Sequence, residues 1–102
     1  MINLTPHAIT ILDVTYEPSG TIARVDMEET VVGSFNGIPV IKRTVKGVVN
    51  VPKDVPCLVS SMVLDQLTEK EYPNVYAPDT GKTAIRNDAG QVVAVTRLVK
   101  AK

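Results

Sequence analysis

The sequence predicts a mainly β domain, either an antiparallel sheet or a small barrel or sandwich, with one short helix. Val, Thr and Ile make up about one third of the 102 residues, and β-branched side chains favour strands over helices. Seven prolines and six glycines supply many turns. The length fits a single domain over residues 1–102, and its core should be modest because the chain has one Phe and no Trp.

A short strand and a hairpin are predicted near the N-terminus. Residues 2–4 form a short strand that ends before Pro6. Residues 9–12 and 21–25 form the two strands of a hairpin, because residues 17–20 between them have the composition of a turn.

The strongest local signal is Asn36-Gly37. Both central residues of a type I′ turn need positive φ, which Asn and Gly adopt at little cost. The pair therefore predicts a hairpin between a strand over residues 31–35 and a longer strand over residues 38–51. Gly47, inside the longer strand, indicates a β-bulge or a bend.

One helix is predicted, over residues 61–68. Met62, Val63, Gln66 and Leu67 fall on one face at helical spacing. Ser60 or Ser61 is the expected N-cap.

The C-terminal third is predicted to be extended. Residues 75–77 and 84–86 are short strands, and residues 87–90 have turn composition. Residues 91–99 form one last strand that is apolar on both faces, as expected of a central strand or an interface strand. An interface strand and the lack of large aromatic side chains predict a homo-oligomer.

A polar loop over residues 79–83 resembles two catalytic signatures and satisfies neither. A phosphate-binding P-loop would need a glycine at position 76, which is Tyr76, and a helix after Thr83. An aspartic protease half-site would need an apolar strand before Asp79, where the chain has Pro78. Only 21 residues follow Gly81. We therefore expect a protein that is not an enzyme.

The same loop is a candidate binding site for a phosphate-bearing small molecule, such as a cyclic nucleotide or an ADP-ribose derivative. Arg binds phosphate through two parallel bonds and Lys binds it as a point charge, backbone N–H groups near a glycine add donors, and Asp79 could accept a bond from a ribose hydroxyl. A chain this small rarely forms a deep pocket alone, so the site is expected between subunits. The alternative is a solvated turn in which Asp79 pairs with Lys82 or Arg86. The candidate ligand-binding residues are Asp79, Thr80, Gly81, Lys82, Thr83 and Arg86, with His7 and Arg24 as a second location.

Composition argues against several other function classes. The formal net charge is zero, so a basic surface for a nucleic-acid polymer is not expected. One Cys and one His cannot build a zinc site or a disulfide, no cofactor or metal is expected, and Cys57 should be a small buried apolar residue. No signal peptide or membrane-spanning run is visible, which predicts a soluble cytoplasmic protein.

Several blocks resemble a family of small proteins, about 100 residues long, from phages, prophages and bacteria. The blocks are residues 3–7 (NLTPH), 18–20 (PSG) followed by 23–24 (AR), 37–40 (GIPV), 59–60 (VS) before the helix, 77–81 (APDTG) with 84–86 (AIR), and 95–98 (VTRL). The resemblance implies action in the cytoplasm of a host cell. In that setting the expected function is sequestration of a nucleotide immune signal. The alternative is a structural or host-protein-binding module, as a virion component or an inhibitor of a host protein.

Overall fold

A computed structural model describes all 102 residues. It contains ten strands and one short helix. Strands contain 47% of the residues and the helix contains 4%. Several sheets are antiparallel and none closes into a barrel. The predicted mainly β class with one short helix is therefore confirmed. In chain order the elements are β1 (Ile2–Asn3), β2 (Ile9–Ile11), β3 (Val14–Tyr16), β4 (Arg24–Phe35), β5 (Ile38–Val49), β6 (Cys57–Leu58), α1 (Ser61–Leu64), β7 (Val75–Pro78), β8 (Ile85–Arg86), β9 (Val92–Ala94) and β10 (Leu98–Lys100).

The core lies on a four-stranded mixed sheet with the order β1-β6-β7-β10. The pairs β1–β6 and β6–β7 are parallel, and β10 runs antiparallel to β7. Cys57 is fully buried here, as expected, and burial raises the pKa of its thiol. Its neighbours in the core cluster are Leu4, Ala23, Val59, Val63, Leu64, Leu67, Val75, Ala77 and Ala101.

The predicted hairpin over residues 9–25 is wrong. β2 turns back at Leu12-Asp13 and pairs with β3 instead. The turn escapes detection because it contains no Gly, Asn or Pro, and Leu12 adopts a left-handed φ of 55°. Its backbone N–H donates to the Val95 carbonyl at 2.8 Å, which helps to hold this conformation.

The Asn36-Gly37 hairpin is confirmed and is much longer than predicted in its first strand. Asn36 and Gly37 have φ of 50° and 78°, as a type I′ turn requires. β4 and β5 have 12 residues each, and a register shift lies beside Gly47, where a bulge was predicted. We call residues 26–47 of this hairpin the arm.

The arm projects from the core. Every residue of the arm, from 26 to 47, is exposed. Of the two hairpin strands, only Val25 and Val48, which form the base of the arm, pack against the core cluster. The radius of gyration is 16.4 Å, whereas a compact domain of 100 residues has about 13 Å. The molecule measures 51 × 38 × 26 Å.

The helix begins where the sequence predicts and ends earlier. Ser60 is the N-cap, and its hydroxyl accepts from the Val63 N–H at 3.3 Å. After Leu64 the chain continues in tighter turns, with the Leu67 N–H donating to the Leu64 carbonyl. Val63 and Leu67 are buried as expected, but Met62 is 62% exposed. This four-residue helix falls well below the length that a membrane crossing requires.

The predicted single strand over residues 91–99 is divided into β9 and β10. The chain bends at Thr96, whose hydroxyl donates to the Thr83 carbonyl at 3.3 Å. β9 pairs with β8 in a separate two-stranded sheet, and β10 is an edge strand of the main sheet. The expectation of one continuous central strand was wrong, because the chain bends here and side-chain bonds from Thr96 and Arg97 hold the bend. The alternative, an interface strand, stays a prediction.

Candidate functional site

Asp79 fastens the loop that follows β7 to the start of β10. One carboxylate oxygen, Oδ1, accepts from the Gly81 backbone N–H at 3.0 Å. The other, Oδ2, accepts from Nε and Nη2 of Arg97 at 3.0 and 2.7 Å. The backbone N–H of Asp79 donates to the Arg97 carbonyl at 3.0 Å. The carboxylate therefore pairs with Arg97, and not with Lys82 or Arg86.

These contacts favour the ionised form of Asp79. The hydrogen bond from the Gly81 N–H lowers the pKa of this carboxyl most, and the bond from Arg97 lowers it further. The Asp79 side chain is only 20% exposed. It is thus a structural anion, and each of its oxygens already accepts at least one hydrogen bond from the protein.

Gly81 lies close against the same carboxylate. A Cβ added to Gly81 would lie 3.1 Å from Asp79 Oδ1, closer than ordinary van der Waals contact. The Asp-Thr-Gly sequence is therefore explained by the turn itself, in which the Asp side chain folds back over the glycine.

Arg86 also acts within the loop. Its Nη1 donates to the Gly90 carbonyl at 2.8 Å, and its Nη2 donates to the Thr80 carbonyl at 3.1 Å. The guanidinium thereby ties the loop to the turn between β8 and β9. Two of its donors are committed, which reduces what it can offer to a phosphate.

Lys82 is the candidate residue that remains available. Its side chain is exposed and forms no ion pair. Thr80 and Thr83 are exposed as well, and both use their carbonyls inside the protein. The segment after Thr83 leads into β8, so the loop lacks the helix N-terminus that a P-loop uses.

His7 and Arg24 are the second location that the sequence offers. Both are exposed, His7 in the loop after β1 and Arg24 at the start of β4. Neither forms a hydrogen bond to residues 79–86. Direct bonds thus join Asp79 to Gly81 and Thr80 to Arg86. No such bond joins His7 or Arg24 to the loop, although Ala8, beside His7, lines one pocket with Thr80.

Neither depression on the single chain suits a nucleotide. The pocket beside the loop has a volume of about 110 Å³ and is lined mainly by apolar residues of β2 and β9, with Thr80 as its only residue from the loop. Ligand pockets usually have about 300–1,000 Å³. A broader, open depression of about 500 Å³ lies near Ile2 and Pro52 and has no charged residue in its lining.

Sequence reasoning missed a buried polar network around Asn3. Its Nδ2 donates to the carbonyls of His7 and Tyr16 at 2.8 and 2.9 Å, and its Oδ1 accepts from the Thr5 N–H and hydroxyl at 3.0 and 2.7 Å. Asn3 is 1% exposed. The available signal was a polar residue between Ile2 and Leu4 in a predicted strand. The NLTPH block therefore has a structural role in this chain.

Comparison of the chain with protein-family models, with curated proteins and with solved structures finds no match.

Proposed function

We propose that this protein is a non-catalytic assembly module that binds other protein chains through its arm. The observation that carries the proposal is the arm itself, 22 consecutive exposed residues on a two-stranded ribbon. An isolated two-stranded hairpin is at best marginally stable in water, and a third strand or a packed face is what stabilises it. In the phage setting such a module would be a virion component or an inhibitor of a host protein.

The apolar side chains of the arm support a binding role. Met27 and Val45 lie opposite each other, as do Val31 and Ile41. The Glu29–Arg43 ion pair lies between these two apolar pairs on the same face of the ribbon. Val31 is 69% exposed. Phe35 and Ile38 at the tip are 68% and 63% exposed. The exposed apolar side chains therefore form several patches along the arm, and exposed apolar patches can mark interaction sites.

A shortened arm tests the proposal. Replacing residues 28–44 by Asn-Gly joins Met27 to Val45, which already lie opposite each other, and keeps the base that packs on the core. We expect the full chain to self-associate or to retain a host protein, and the shortened chain to do neither while its core stays folded. Equal sedimentation and equal host-protein binding by the two chains would contradict the proposal.

The second candidate function is sequestration of a phosphate-bearing small molecule at residues 79–86. The observation that favours it is Lys82, an exposed cation without an ionic partner on a loop held rigid by Asp79 and Arg86. A neighbouring subunit would have to complete the pocket, because the depression in one chain is too small.

Calorimetric titration with cyclic dinucleotides and ADP-ribose derivatives tests this candidate. Lys82→Glu should weaken binding about tenfold or more, since a hydrogen bond to a charged partner contributes roughly 1.5–3 kcal/mol. Lys70→Glu is the matched control, because Lys70 is also exposed and without an ion pair. Binding that is equal in wild type, Lys82→Glu and Lys70→Glu would place any ligand elsewhere, and an absence of heat with every compound would reject the candidate.

A further inference from the structure

The two edges of the arm carry opposite charge. β4 contributes Asp26, Glu28 and Glu29, and β5 contributes Lys42, Arg43 and Lys46. The sheet that contains the arm has only these two strands, so each strand has one edge without a hydrogen-bonding partner in the chain. Unpaired strand edges are templates for pairing with another chain.

We propose that the acidic edge formed by β4 pairs with the basic edge formed by β5 of a second copy, extending the arm into a continuous intermolecular sheet. This inference rests on the proposed function and names the partner as the same chain. An antiparallel β4–β4 pairing centred at Glu28 and Glu29 would place carboxylates opposite carboxylates. A β5–β5 pairing centred at Lys42 and Arg43 would place like positive charges opposite each other. Like charges directly opposite are destabilising, and opposite charges stabilise the sheet.

Arg43 has the capacity for this second contact. Within the chain its Nε donates to Glu29 Oε1 at 3.3 Å, and its side chain is still 62% exposed. A guanidinium has five N–H donors, and this is the one hydrogen bond that the Arg43 side chain makes within the chain. In an antiparallel pairing that repeats the intrachain register, each Arg43 lies between its own Glu29 and that of the neighbouring copy.

The apolar rows extend in the same pairing. Within one chain Val31 lies opposite Ile41 and Met27 lies opposite Val45. In the same register, the Val31 of a neighbouring copy lies next to Ile41 on the free edge of β5. Because β4 pairs with β5 and never with itself, the contact is heterologous, and repeated copies generate a closed ring or an open filament.

Charge variants of the full chain test the pairing. One variant carries Glu28→Lys with Glu29→Lys, so both edges are basic, and the other carries Lys42→Glu with Arg43→Glu, so both edges are acidic. We expect the dissociation constant for self-assembly of each variant alone to be at least about tenfold higher than that of wild type. An equimolar mixture should assemble again, because the basic edges meet the acidic ones. Multi-angle light scattering measures mass, and circular dichroism verifies that each variant is folded.

A variant with all four substitutions keeps the edges complementary and guards against failure of the hairpin in the two double variants. It should assemble with itself and exclude wild type. If both double variants assemble as wild type does, or if their mixture stays dissociated, the pairing is wrong even where the shortened arm abolishes assembly. If wild type is monomeric at about 100 µM, the second copy is not the partner, and the proposed function then depends on arm-dependent binding of a host protein.

Discussion

Asp79 couples a surface loop to an edge strand by accepting hydrogen bonds on both of its oxygens. One bond comes from the Gly81 N–H two residues on, and two come from Arg97 at the start of β10. A carboxylate that accepts hydrogen bonds in the folded state is held there as an anion. Its ionisation is therefore linked to folding.

The stability of the protein should fall in acid because of Asp79. Its folded pKa lies below the value of an unfolded Asp, about 3.9. The contribution is therefore fully present above that pH and is lost as pH falls through the folded pKa. Asp79→Asn should be less stable than wild type at pH 7 and should lose less on acidification. Urea unfolding at pH 7, 4 and 3 measures this.

Asp88→Asn is the control, because Asp88 is exposed and has no ion pair. It should leave both the stability and its pH dependence near those of wild type. A pH profile of Asp79→Asn that superimposes on that of wild type would show that the bonds to Gly81 and Arg97 contribute no linkage.

What the sequence could predict at this scale was set by distance along the chain. The turn chemistry of Asp79 and Gly81 involves neighbours, and it was predictable. Arg97 is 18 residues away, and Arg86 bonds to carbonyls that any residue could provide. Pairing over such separations depends on where β7 and β10 meet, which local patterns do not contain. The same reason hid the parallel pairing of β1 with β6.

At the scale of elements, the two tight hairpins differ in how their turns are encoded. The turn at Asn36-Gly37 uses residues that tolerate positive φ, and it was predicted. The turn at Leu12-Asp13 places a β-carbon in the left-handed region at φ 55°, which costs roughly 1–2 kcal/mol for an ordinary L-residue. Leu12 is also 64% exposed, so packing within the chain offsets little of that cost.

Leu12→Gly should therefore leave stability unchanged or raise it by up to about 1.5 kcal/mol. Relief of the left-handed strain is partly cancelled by the conformational entropy that glycine loses on folding, about 0.5–1 kcal/mol. Val14→Gly is the control in the adjacent strand, where there is no such strain to relieve, and it should destabilise. Thermal unfolding followed by circular dichroism compares them at low protein concentration. A loss above about 1 kcal/mol for Leu12→Gly would show that its side chain contributes packing within the folded chain.

At the scale of the whole molecule, a small core supports a long projection. The buried cluster contains residues of the mixed sheet and of α1, whereas the hairpin packs against it only through Val25 and Val48, just outside the arm. A free chain of this shape pays the ordering entropy of the arm with little burial in return. Association that covers the arm would supply the missing burial, so stability and assembly should be coupled.

The thermal midpoint of wild type should accordingly rise with protein concentration. When the concentration exceeds the dissociation constant a hundredfold, binding adds about 2.7 kcal/mol to the free energy of unfolding. For a domain of this size that corresponds to a rise of about 10–20 °C. Scanning calorimetry across two orders of magnitude in concentration measures the rise. The chain in which Asn-Gly replaces residues 28–44 is the control and should unfold at a constant temperature. If the midpoint of wild type is also constant while the arm exchanges its amide hydrogens freely, the arm is not covered by another copy.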